Sequence, residues 1–100
     1  MSYQVIAANQ VTSLLQHPEI VVLDMRDSNA YVAGHIDHAI QATEEHVMRV
    51  IDEQDAESPV LVYCYHGISS QKMAEYLASQ GLNHVFSLKG GWGAWCLYNP

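Results

Sequence analysis

Three short apolar runs constrain the fold of this chain most: Ile20-Val21-Val22-Leu23, Val60-Leu61-Val62-Tyr63 and Val85-Phe86-Ser87-Leu88. None alternates apolar with polar residues, so none reads as a strand with one wet face. A continuous apolar run of this length reads as a strand buried on both faces. Between the runs lie segments with helical spacing. Val11, Leu14 and Leu15 share one helix face, with Asn9 a candidate N-cap and Pro18 beyond the end. Asp27 to Ala33 can form a short helix and Ala39 to Ala42 a short strand. Thr43 caps a helix whose Val47, Val50 and Ile51 fall at i, i+3 and i+4, with Glu44 and Glu45 favourable in its first turn. Ser70 to Gln80 is helical, with Met73, Ala74, Leu77 and Ala78 inward and Gly81 at the C-cap. Gly90-Gly91 turns the chain into a last short helix carrying Trp92, Trp95 and Leu97. Buried strands alternating with helices predict an α/β fold: a mainly parallel sheet with helices on both faces.

The 100 residues are one domain's worth of chain, so a single domain over residues 1–100 is expected. A hydrophobic share of 49% with only 15% charged residues excludes a disordered chain. Eleven acidic residues against four basic ones give a net charge of −7, and Arg26, Arg49, Lys72 and Lys89 are scattered. No basic patch exists for nucleic acid or for an anionic membrane surface. No apolar run nears the roughly 18 residues of a membrane span. The start, Met1-Ser2-Tyr3-Gln4, lacks the basic-then-apolar pattern of a signal peptide, so the cytoplasm is the expected location. Two cysteines, Cys64 and Cys96, make no disulfide framework.

Cys64 carries the chemistry. It follows a buried strand and precedes a helix, and sites in such sheets lie at the carboxyl ends of strands. A loop curling over a helix N-terminus points backbone N–H groups inward, and the helix dipole adds partial positive charge. A thiol in that cradle is held as thiolate, the nucleophilic form. Gly67 lets the loop take backbone angles closed to other residues, and Ser69 and Ser70 offer hydroxyls or a helix cap. On position alone, an inert cysteine that ends a strand fits equally well.

Four segments in order add to this: Val22-Leu23-Asp24-Met25-Arg26, Tyr31-Val32-Ala33-Gly34-His35-Ile36, the Cys64 loop, and Gly90-Gly91-Trp92-Gly93-Ala94-Trp95. In order and spacing they resemble the successive signatures of the single-domain rhodanese sulfurtransferase family, over nearly the whole chain. The run Cys64-Tyr65-His66-Gly67-Ile68-Ser69-Ser70 resembles the active loop of its small bacterial members. The resemblance implies a rhodanese-like domain and an enzyme, a thiosulfate:cyanide sulfurtransferase. Cys64 would take the outer sulfur of thiosulfate as a persulfide and pass it to a thiol or, in vitro, to cyanide. It implies that Tyr65, His66, Gly67, Ile68, Ser69 and Ser70 form the amide cradle, that Asp24 and Arg26 are a mainly structural pair, and that Trp92 and Trp95 are the aromatics of the last helix. No cofactor is implied. The alternative is a persulfide carrier that serves a protein acceptor, such as a thioredoxin-like partner, with little free thiosulfate turnover. The chain departs from the family pattern in three places. His38 stands where glycine is common, Ala30 stands where an acid is common, and the active loop has no Arg or Lys.

Other candidates weigh less. His66 is a base or anion contact, or a side chain pointing to solvent. His35 reads as a hydrogen-bonded structural histidine. His35 and His38 at i, i+3 come without the CxxC or HExxH spacing of a metal site, and none is expected. Cys96, beside Trp95, reads as a packing residue, and so do Trp92 and Trp95. The acids Glu44, Glu45, Asp52, Glu53, Asp55 and Glu57 read as a solvated face. A cysteine phosphatase would need Arg at C-x5-R to clamp phosphate oxygens, but Ser70 holds that position and Lys72 lies two residues beyond it.

Overall fold

The computed structural model describes residues 2–99. Its elements are β1 (Gln4–Ile6), α1 (Ala8–Leu14), β2 (Val21–Asp24), α2 (Ser28–Ala33), β3 (Ala39–Gln41), α3 (Glu44–Glu53), β4 (Val60–Tyr63), α4 (Ser69–Ser79), β5 (Val85–Leu88) and α5 (Gly91–Tyr98). The strands form one sheet in the order β1-β5-β4-β2-β3, and all four pairings are parallel. The expected mainly parallel sheet is therefore wholly parallel.

Burial explains why the apolar runs are strands. Val60, Leu61, Val62 and Tyr63 of β4, the central strand, are fully buried. Their side chains point alternately to two cores. Leu61 and Tyr63 join Val11, Val22, Ile36 and Leu88 under α1 and α5. Val60 and Val62 join Leu23, Val47, Val50, Ala74, Leu77 and Val85 under α3 and α4. Helices thus cover both faces, as a parallel sheet requires.

The caps follow local chemistry. Asp27 accepts from Ala30 N–H at 2.8 Å and Thr43 Oγ1 from His46 N–H at 3.1 Å, so α2 and α3 begin where short oxygen-bearing side chains allow. The expected cap of the first helix is corrected: Ala7, not Asn9, is its N-cap, and Gln10 reaches back to the Ala7 N–H at 2.9 Å. Strand β1 was not expected. It has three residues, and Gln4 and Val5 are exposed, so no apolar run marks it. Gln80 is the C-cap of α4, and Gly81 follows with φ +102°. His38 has φ +69°, the left-handed conformation that favours glycine, which explains why glycine is common at this position in the resembled family. Among the described residues no helix is long and apolar enough to cross a membrane.

Candidate active site

Cys64 is the first residue beyond the central strand and is buried at 6% exposure. The chain then loops through Tyr65–Ile68 into α4, whose first residues are Ser69 and Ser70. Ser70 lies in the helix itself. The N-cap of α4 is Ile68, which has no side chain able to cap. The Cys64 sulfur takes that role: Ser70 N–H donates to Sγ at 3.3 Å and Gly67 N–H donates to it at 3.2 Å. Ser70 Oγ lies 3.4 Å from the same sulfur. The sulfur thus sits at the positive end of an 11-residue helix, among donors and against no cation.

The balance on the thiol follows from these contacts. Burial disfavours the thiolate. Hydrogen bonds from the Ser70 hydroxyl and from the N–H groups of Ser70, Gly67 and His66 outweigh burial, so the Cys64 thiol is held below the ordinary thiol range. Among the described residues, the N–H groups of Ile68 and Ser69 find no acceptor in the protein. They remain available to a second negatively charged atom beside the sulfur.

Two glycines shape the loop. Gly67 has φ +85°, and a Cβ there would lie 2.6 Å from Gly90 N. Gly91 has φ +59°, and a Cβ there would meet the Cys64 carbonyl oxygen and lie 2.7 Å from Tyr65 C. The close approach lets α5 hold the loop from beneath: Trp92 N–H donates to Cys64 O at 2.8 Å and Gly93 N–H to Tyr65 O at 3.3 Å. The loop is also tied at its outer side, where the Tyr65 hydroxyl donates to Asp27 at 2.8 Å.

Asp24 and Arg26 lie one strand away. Asp24, fully buried, accepts from Arg26 Nη2 at 2.7 Å, from Arg26 N at 2.8 Å and from the Tyr63 hydroxyl at 2.6 Å. Burial works against the Arg26 charge, but Asp24 more than restores it, so the guanidinium stays ionised. Arg26 Nη2 also donates to Gly34 O at 2.6 Å, and its guanidinium lies 4.1 Å from the Trp92 ring centroid. Arg26 thus has an acidic partner without an acid at Ala30. The group ties β2, β4, α2 and α5 together at the carboxyl edge of the sheet. Arg26 Nε and Nη2 are turned to Asp24 and Gly34.

The loop opens on a cavity of about 330 Å³ lined by Met25, Cys64, Tyr65, His66, Ile68 and Ser69. It runs into a groove of about 470 Å³ lined by Met25, Ile68, Ser69, Lys72, Met73 and Tyr76. His66 is exposed at the cavity and brings its N–H toward the sulfur. Trp92 and Trp95 pack against the core, and neither lines the Cys64 cavity. His35 Nδ1–H donates to Tyr31 O at 2.7 Å, and the two rings stack with centroids 4.1 Å apart. Cys96 is corrected: it is exposed, because α5 is apolar nearly all round and only part of it can face the core. The acids Glu44, Glu45, Asp52, Glu53, Asp55 and Glu57 are all exposed. Among the described residues no three His, Cys, Asp or Glu side chains are grouped to hold a metal.

The rhodanese-like domain family matches residues 7–98. The thiosulfate sulfurtransferase GlpE of Shewanella oneidensis is 39% identical over 94% of this chain and 93% of its own length. The GlpE thiosulfate sulfurtransferase of Coxiella burnetii is 39% identical over 100% of this chain and 94% of its own. Among solved structures, the rhodanese-like domain of an Anabaena protein superposes with a TM-score of 0.80 at 31% identity, over 98% of this chain and 76% of that one.

Proposed function

This chain belongs to the rhodanese-like domain family, and on that premise we propose that it is a sulfurtransferase that carries sulfane sulfur on Cys64. The observation that supports this reading best is the Cys64 sulfur seated on the α4 N-terminus, with Gly67 and Ser70 N–H donating to it. The Cys64 thiolate attacks the outer sulfur of thiosulfate. A new S–S bond forms at Cys64, and the old one breaks with its electron pair leaving on sulfite. The product is Cys64–S–S⁻, so the negative charge has moved one sulfur further out. The N–H groups of Ile68 and Ser69, which have no acceptor among the described residues, are the donors we assign to it. Cyanide, or a thiolate acceptor, then attacks the outer sulfur and returns Cys64 as thiolate. No proton moves in either step with cyanide, so the Cys64 thiolate requires no general base.

A second reading, sulfur delivery to a protein acceptor such as a thioredoxin-like partner, is favoured by one feature. The groove beside the cavity is mostly apolar, with Ile68 at 72% exposure and Tyr76 at 43%. A small dianion does not need such a surface. Both readings share the Cys64 persulfide. The test is intact mass after incubation with thiosulfate and removal of small molecules. We expect a gain of roughly 32 Da, one sulfur, that cyanide removes as thiocyanate. Cys64→Ser should abolish both, since a hydroxyl is far less acidic than a thiol and stays protonated among these donors. An adduct on Cys96, or turnover by Cys64→Ser, would overturn the proposal.

A further inference from the structure

Ser87 interrupts the otherwise apolar run of β5, and its side chain is fully buried. A hydroxyl buried in a sheet needs a partner. Among the described residues Ser87 Oγ has one, Ser70 Oγ at 2.8 Å. Ser70 is also fully buried, and its Oγ lies 3.4 Å from Cys64 Sγ. Two buried hydroxyls therefore lead from the middle of β5 to the sulfur.

The number of protons fixes the direction of this chain. Each hydroxyl has one proton, and a thiolate has none and can only accept. When Ser70 donates to the sulfur, its oxygen has only lone pairs to offer Ser87, so Ser87 donates. If Cys64 is instead a thiol donating to Ser70 Oγ, the Ser70 proton turns to Ser87 and the Ser87 proton is left without an acceptor. A thiol that donates to Ser70 strands a buried donor, and the thiolate does not. We infer that Ser87 is a positioning residue: by donating to Ser70 Oγ it holds the Ser70 proton on the Cys64 sulfur and favours the thiolate.

Among the described residues no charged side chain is bonded to the sulfur or to the two hydroxyls. Asp24 and Arg26 are paired with each other, and Tyr65 is bonded to Asp27. His66 is exposed on the loop, and Lys72 of α4 lines the outer groove. From α5, Gly91 lies against the Cys64 carbonyl and Trp92 N–H donates to it, and neither brings a charge.

The assignment concerns the nucleophile that the sulfurtransferase reading uses, but its test does not depend on that reading. Iodoacetamide alkylation of Cys64 is followed against pH by intact mass and peptide mapping. We expect Ser87→Ala to slow alkylation near neutral pH by about three- to tenfold, with a raised midpoint, because one pKa unit is tenfold in thiolate. Ser87→Thr, which keeps the hydroxyl, should recover most of the rate. In a Ser70→Ala background, Ser87→Ala should add less than about a twofold change, because its effect passes through Ser70. An unchanged midpoint in Ser87→Ala overturns the assignment, as does an equal loss in Ser87→Thr or a full further loss in the Ser70→Ala background. If Ser87→Ala does not fold, Ser87→Cys replaces it, with alkylation read on the Cys64 peptide. It keeps the size but donates more weakly, so a raised midpoint is again expected and an unchanged one overturns the assignment. If the midpoints respond as expected while thiosulfate leaves no sulfur on Cys64, the role of Ser87 stands and the sulfurtransferase reading falls. If sulfur is carried but the midpoints do not respond, the reverse holds.

Discussion

Two buried groups sit at the carboxyl ends of neighbouring strands and solve the same electrostatic problem in opposite ways. At the end of β2, the Asp24 carboxylate is neutralised by a cation, Arg26, with Nη2 at 2.7 Å. Just past β4, the Cys64 sulfur is bonded, among the described residues, to N–H groups and a hydroxyl, at 3.2 to 3.4 Å. A carboxylate forked by a guanidinium is fixed and inert, and it serves as a weld between elements. A sulfur held by dipoles keeps its lone pairs toward an open cavity. When charge moves out to a second sulfur, dipoles that already surround the site need no counter-ion to follow it. The fold spends its one buried arginine on structure and leaves the reacting atom to the backbone.

The comparison can be broken at either side, and the largest effect is expected at the weld. Asp24→Asn leaves Arg26 buried without a charge partner, which costs about 3–5 kcal/mol of stability. Denaturant unfolding measures this, and the Cys64 alkylation midpoint of the folded fraction should stay where it is in wild type. A midpoint that moves with Asp24 would mean that the two groups are electrostatically one.

The next effect is at the seat of the loop. Gly91→Ala forces a Cβ against the Cys64 carbonyl at φ +59°, and the left-handed angle alone costs about 1–2 kcal/mol. Displacing the loop should lower Cys64 alkylation several-fold relative to Cys96 in the same molecule. Equal alkylation ratios in variant and wild type would show that α5 does not hold the cradle.

A smaller effect is thermodynamic. Because the folded state depresses the Cys64 thiol, the fold binds fewer protons there than the unfolded chain does. Stability of wild type relative to Cys64→Ser should therefore rise with pH. The gain is fully present above the unfolded value of about 8.5 and is lost as pH falls through the folded value. Unfolding midpoints of the two proteins at neutral pH and at about pH 9 give the difference directly. A difference that shrinks with pH would mean that burial, not hydrogen bonding, governs the sulfur.

These two groups also mark what a sequence can show. The strands β2, β4 and β5 were legible because burial on both faces leaves an apolar run, broken in β5 only by Ser87. The starts of α2 and α3 were legible because Asp27 and Thr43 supply cap oxygens of their own. Cys64 was legible because strand, thiol, glycine loop and helix follow one another along the chain. Strand β1 was not, since its stability comes from pairing with β5 and not from its own side chains. Nor was the cap of α1, where Gln10 supplies from inside the helix what Asn9 was expected to supply from before it. The parts of the site that sequence missed are those joined only by folding. Gly91 reads as a turn glycine, yet its lack of a side chain is what lets α5 approach the loop. Ser87 reads only as one residue of a strand run, and its partner among the described residues lies 17 residues away. The exposure of Cys96 was hidden for a similar reason, because a short helix with apolar residues on every side does not say which side is covered.

The central claim is that neutral dipoles, and no cationic side chain, hold the Cys64 thiolate inside a chain of net charge −7. It is tested most directly by alkylating Cys64 with anionic iodoacetate and neutral iodoacetamide across ionic strength. Thiolate population and blocking of the cavity affect both reagents and largely cancel in the ratio of rates. The overall negative field repels iodoacetate alone, and salt screens that repulsion over a Debye length of about 10 Å at 0.1 M. The account predicts that the iodoacetate/iodoacetamide ratio rises with salt. A ratio that falls with salt would reveal a positive mouth built by His66, Lys72 or Arg26, and would contradict it.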